Sequence, residues 1–174
     1  MSIKSFLARK WAQYIRKKID LWAKDPISTQ ERILSSLIQK AKNTVFGKEH
    51  HFDQIHSYED FIKQVPIRDY EALSPYIERV KEAQTDILWP GKPLYFAKTS
   101  GTTSGAKYIP LTKESMPYHI QAARDAIMCY IAQTGKADFV NGKMIFLQGS
   151  PILEKKNGIL LGRLSGISAH YVPK

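Results

Sequence analysis

Apolar residues in the first third of the chain return every three or four positions, the interval that aligns side chains on one face of an α-helix. In residues 1–25 the series is Ile3, Phe6, Leu7, Trp11, Tyr14, Ile15 and Trp22, with basic residues between. It predicts a helix with a wide apolar stripe and a solvated basic back, and such a stripe ordinarily docks on its own protein. Asp25-Pro26 ends this helix. Ser28-Thr29-Gln30-Glu31 has the form of a capping box that opens a second, whose inner face is Ile33, Leu34, Leu37, Ile38 and Ala41. Residues 43–47 close it. A shorter helix follows Ser57-Tyr58-Glu59-Asp60, Val65-Pro66 breaks it, and Asp69 caps another that runs through Val80. Acidic residues at these starts are helix-dipole partners, not a carboxylate pair for acid–base work.

After residue 90 the interval shortens. Leu94-Tyr95-Phe96-Ala97 and Tyr108-Ile109-Pro110-Leu111 are short, β-prone and mostly apolar. Thr112 caps a helix over about 114–133, with Ile120, Ala123, Ile127, Tyr130 and Ile131 on one face. Met144-Ile145-Phe146-Leu147 is a continuous apolar run expected of a strand buried on both faces of a sheet, and Gly158-Ile159-Leu160-Leu161-Gly162 is a second candidate. Helices first and then alternating strand, loop and helix make the fold class α/β. There are no internal repeats.

Composition narrows the function. A chain of 174 residues, 43% hydrophobic and 11% aromatic, suffices for one core. No apolar run of membrane-spanning length occurs, nor an uninterrupted apolar stretch of a signal peptide near the start. The lone Cys129 has no intrachain partner and reads as a buried structural thiol in a reducing, cytoplasmic setting. The formal charge is +10, and residues 1–25 hold seven basic against two acidic residues. A basic helix-led module touching nucleic acid or an anionic membrane is therefore one reading, although no aromatic-interleaved basic groove follows. The five histidines lack partner cysteines, so no metal-ligating residue is assigned. Gly162-Arg163-Leu164-Ser165-Gly166 lacks the G-x-S-x-G spacing of a serine-hydrolase elbow.

The chemistry concentrates between the two short strands. Lys98 to Lys107 packs five hydroxyls, two glycines and two lysines into ten residues. Glycines let backbone N–H groups approach an anion, hydroxyls donate further hydrogen bonds, and lysine supplies the opposite charge. Flexible linkers share this composition, but the strand-like flanks pin the run at both ends. It is not a Walker loop. With Gly101 as the first glycine and Lys107 as the lysine, Ala106 stands at the second glycine and Tyr108 at the magnesium-binding hydroxyl.

Thr99-Ser100-Gly101-Thr102-Thr103-Ser104-Gly105-Ala106-Lys107 resembles the phosphate loop of adenylate-forming enzymes. The continuation Lys107-Tyr108-Ile109-Pro110-Leu111-Thr112 is more similar to the Gretchen Hagen auxin-responsive family of acyl-acid-amido synthetases than to luciferases or acyl-CoA ligases. Asn43-Thr44-Val45-Phe46-Gly47-Lys48, Val65-Pro66-Ile67-Arg68-Asp69-Tyr70-Glu71 and Leu88-Trp89-Pro90-Gly91 support the same branch. The resemblance implies attack of a carboxylate on the α-phosphate of ATP, with Mg2+, and then acyl transfer to an amine, usually of an amino acid. An acyl-CoA ligase remains the second enzymatic reading. Thr99, Ser100, Thr102, Thr103 and Ser104 would donate hydroxyls, Gly101 and Gly105 would admit phosphates, and Lys107 would supply catalytic charge. Lys98 reads as simply solvated.

The resemblance also implies that 1–174 is an N-terminal piece of the large adenylation domain, mainly helical over 1–85 and strand-loop-helix-strand over 86–174, without the C-terminal lid. Family segments of the Y-G-x-x-E and Y-R-x-G-D types, at the adenine and the ribose, have no counterpart here. A chain of these residues alone is expected to be inactive and to self-associate through an exposed sheet edge. Neither nucleic acid nor membrane is an expected partner.

Overall fold

The computed structural model describes residues 2–99, 105–143, 145 and 147–171. Helices α1 (Ile3–Ala23), α2 (Pro26–Ala41), α3 (Val45–Glu49), α4 (Tyr58–Gln64), α5 (Tyr70–Lys81), α6 (Met116–Thr134) and α7 (Leu164–Ala169) accompany strands β1 (Tyr95–Lys98), β2 (Tyr108–Leu111), β3 (Glu154–Lys156) and β4 (Ile159–Gly162). The chain divides into two compact units, Met1–Thr29 with Met116–Leu147, and Gln30–Ser115 with Gln148–Lys174.

In the first unit α1 and α6 pack together through Ala12, Ile15, Met128 and Ile131, with Ala8, Ile19 and Ile127 around them. The contact face of α1 thus combines alanine and isoleucine, Ala8, Ala12, Ile15 and Ile19. Of the expected apolar stripe only Ile15 docks, while Ile3, Phe6, Leu7, Trp11, Tyr14 and Trp22 stay exposed. Cations cover some of these rings, Lys18 Nζ lying 4.6 Å from the centroid of Tyr14 and the Arg124 guanidinium 5.4 Å from that of Trp11. Ser2 caps α1 by accepting from the Ser5 N–H at 3.2 Å. On α6 the buried residues are Met116, Met128 and Ile131, while Ala123 and Tyr130 of the expected face are exposed and Cys129 is half-buried. The continuous apolar run also behaves differently from expectation. Ile145 is 89% and Leu147 98% exposed, and neither belongs to a strand; Met144 and Phe146 lie outside the described residues. An apolar run specifies a tendency to be buried but names no pairing partner.

Helix α2 starts earlier than Ser28. Asp25 accepts from the Ser28 N–H at 3.2 Å and Pro26 takes the first helical position, where a missing N–H costs nothing, so the Ser28–Glu31 box is interior to the helix. Ile38 and Ala41 are buried with Phe52 and Ile55, with Leu34 packed alongside, while Ile33 and Leu37 stay exposed.

The second unit is built around a four-stranded mixed sheet of order β2-β1-β4-β3. β1 pairs antiparallel with β2, Ala97 facing Ile109 and Lys98 facing Tyr108, and parallel with β4, Phe96 facing Leu161. β3 and β4 form a hairpin in which Lys156 faces Ile159. Its two turn residues, Asn157 at φ 50° and Gly158 at φ 82°, suit the type I′ geometry that matches strand twist. Phe96 of β1 and Ile159 of β4 pack with Val80 and Ile87, with Tyr76 and Tyr108 at their margin.

The cap expected at Asp69 forms, and the helix expected after Ser57–Asp60 begins within that segment, at Tyr58. Ser57 and Asp60 make a reciprocal box at α4, and Asp69 accepts from the Ala72 N–H at 2.8 Å at α5. Residues 43–47 do more than stop α2. Thr44 accepts from the Gly47 N–H at 3.0 Å and thereby opens α3.

Candidate functional site

The described part of the glycine-hydroxyl run forms the neck of a β1–β2 hairpin. The Thr99 N–H donates to the Lys107 carbonyl at 3.0 Å, and the Lys107 N–H to the Thr99 hydroxyl at 3.4 Å. Thr99 is exposed just beyond β1, and Lys107 is half-buried just before β2. Gly105 sits at φ 81° in the left-handed region, and a Cβ built there meets nothing within 4 Å. Ser100, Gly101, Thr102, Thr103 and Ser104 lie outside the described residues. Lys98 is exposed, as a solvated lysine would be.

Helix α5 borders this neck. Tyr70, its first residue, accepts from the Tyr108 backbone N–H at 2.8 Å, and the Lys107 ammonium lies 5.3 Å from the centroid of its ring. At the other end of α5 its last residue, Lys81, engages both carboxylate oxygens of Glu78 at 2.7 Å and lies 4.7 Å from the Tyr108 ring centroid. Lys81, Phe96, Tyr108, Lys156, Ile159 and Leu161 line a cavity of about 30 Å³, roughly one water molecule's share of space. That is too small for a nucleotide. The neck itself carries Lys107, the Thr99 hydroxyl that accepts its N–H, and Gly105 with an open side.

The start of α5 is fixed from behind. Arg68 approaches His50 Nε2 at 3.0 Å and donates to the Tyr76 hydroxyl at 3.5 Å, while Tyr76 donates to Glu49. His50 is 5% exposed, stacks on Phe46 with ring centroids 4.0 Å apart, and contacts the Phe46 carbonyl through Nδ1 at 2.8 Å. Arginine only donates and a carbonyl only accepts, so in this arrangement Nδ1 holds the proton and Nε2 accepts. The segments 43–48 and 65–71 thus meet in one polar network that anchors α5.

Sequence reasoning did not find Tyr70 or Lys81 as neighbours of the loop. Tyr70 lies within a quoted segment, yet nothing in its spacing says that it reaches a residue 37 positions later. Among the described residues no group of three or more His, Cys, Asp or Glu could hold a metal, and no helix is long and apolar enough to cross a membrane.

The description "GH3 family N-terminal domain" matches residues 15–172. The chain belongs to the GH3 family. Among curated relatives, a jasmonoyl-L-amino acid synthetase of Nicotiana attenuata, JAR4, is 25% identical over 149 residues, covering 84% of this chain and 25% of its own length. The indole-3-acetic acid-amido synthetase GH3.2 of Arabidopsis thaliana is 28% identical over 102 residues, covering 58% of this chain and 19% of its own. This GH3 chain therefore spans a quarter or less of the length of these relatives. The solved GH3.15 acyl acid amido synthetase superposes with a TM-score of 0.75 at 20% identity, over 86% of this chain and 27% of that one. A second structure of that enzyme, in complex with 2,4-DB, gives 0.68 at 21% identity over 82% and 25%. These likenesses establish the fold: a helical part followed by a mixed sheet, as in a GH3 N-terminal domain.

Proposed function

We propose that this GH3 chain supplies the phosphate grip for ATP-dependent activation of a carboxylic acid, followed by acyl transfer to an amino acid. The observation that supports it is the hairpin neck, where Thr99 and Lys107 are bonded to each other and Gly105 leaves the approach open. Donors held before the anion arrives stabilise developing phosphate charge more than mobile water does. Lys107 is the charge, Thr99 the described hydroxyl, and Ser100, Gly101, Thr102, Thr103 and Ser104 belong to the same proposed grip. The neck bears no carboxylate, so magnesium would come with the nucleotide, bound mainly to phosphate oxygens and water. The names of the GH3 relatives favour amide synthesis over transfer to coenzyme A. A reducing, cytoplasmic setting belongs to the same reading, since Cys129 has no second cysteine to pair with.

Competition binding tests the grip. Inorganic pyrophosphate is expected to displace MgATP from the chain, whereas adenosine at equal concentration leaves it bound. Displacement by adenosine but not by pyrophosphate would overturn the reading.

A further inference from the structure

We infer that Tyr70 is the positioning residue for Lys107, an assignment that rests on the phosphate reading of the loop. Two contacts from one side chain reach consecutive residues of the loop's returning arm. The Tyr70 ring lies beneath the Lys107 ammonium at 5.3 Å, and the Tyr70 hydroxyl accepts the Tyr108 N–H at 2.8 Å. Tyr108 lies on β2, an outer strand of the sheet, so an N–H that would otherwise go to water is tied to a helix.

A lysine has a long flexible stem, and its charge helps an anion most when its position is set in advance. The aromatic face does this without neutralising the charge, as a carboxylate would. Lys81 makes the comparison, because Glu78 engages its ammonium at 2.7 Å. Lys107 has no carboxylate partner among the described ion pairs. Tyr70 is itself held. It is the first residue of α5, capped by Asp69, and α5 is anchored through Arg68 and Tyr76 to His50 and Glu49. The sheet positions the start of the loop and helix α5 its end.

The test uses the 174-residue chain and inorganic pyrophosphate. In the wild type, ring current should shift the Lys107 ε-methylene protons upfield, the signal being assigned by its loss in Lys107→Ala. Tyr70→Phe keeps the ring and removes the hydroxyl, so the shift should persist while the Tyr108 amide exchanges faster. Tyr70→Leu should lose the shift and bind pyrophosphate about twofold to fivefold more weakly, the range of an exposed cation–π contact. No upfield shift in the wild type would overturn the assignment without any variant needing to fold. Lys107→Ala separates the two claims. Unchanged pyrophosphate affinity in that variant overturns the phosphate reading, whereas reduced affinity there with wild-type affinity in Tyr70→Leu overturns the positioning role alone.

Discussion

The backbone N–H of Thr99 and the carbonyl of Lys107 are bonded at 3.0 Å, so the two ends of the glycine-hydroxyl run are held together at a fixed neck. A linker would leave its ends free to move apart. Here the strand pairing of Lys98 with Tyr108 runs straight into the neck, and the hydroxyl of Thr99 adds a bond to the Lys107 N–H. The entropy of bringing Thr99 and Lys107 together is thus met by folding of the sheet rather than by ligand binding.

At Gly105 the cost of substitution should come from the backbone. A Cβ there meets no atom within 4 Å, but φ is 81°. Gly105→Ala should destabilise the neck by about 1–2 kcal/mol, Gly105→Val by more, and Gly105→Asn by less, because asparagine tolerates the left-handed region. Urea denaturation of the three variants measures the order. Equal stability of the Val and Asn variants would contradict it.

The glycine at 47 plays a different part. It is buried in α3, and a Cβ on it would collide with the carbonyl of Ala41, the same oxygen that accepts from the Thr44 hydroxyl at 2.7 Å. Gly47→Ala should cost about 1–3 kcal/mol through this clash. Denaturant midpoints with an unchanged slope would show it, and a midpoint equal to wild type would refute the packing described for the 43–48 segment.

Asp60 provides a pH signature. The His56 N–H, followed by the Ser57 side chain, holds its carboxyl below the usual range. A lowered folded-state value contributes stability that is present above the unfolded value near pH 4 and lost as pH falls through the folded one. Asp60→Asn should therefore lie below wild type in thermal midpoint at pH 6 and converge with it toward pH 2. A gap that stays constant with pH would contradict the capping box.

Local chemistry was legible in the sequence and distant contacts were not. Ser57 with Asp60, and Asp69 three residues before Ala72, act within one turn, so residue type and spacing suffice to place them. The start of α2 was misplaced because Ser28–Glu31 satisfies the box pattern equally well, and only the Asp25 bond together with Pro26 decides between them. β3 is short and polar, a pattern that does not predict a strand, although Asn157-Gly158 is a hairpin signal in its own right. At the site, the flanking strands follow from the sequence. The Tyr70 contacts do not, since they require α5 to lie beside β2.

Titration with MgATP at fixed ionic strength, comparing wild type with Lys107→Ala, tests the phosphate grip most directly. A charge-assisted hydrogen bond contributes about 1.5–3 kcal/mol, so binding should weaken roughly 10- to 150-fold while thermal unfolding stays unchanged. Affinity within about twofold of wild type, with folding intact, would mean that the loop's lysine does not face phosphate.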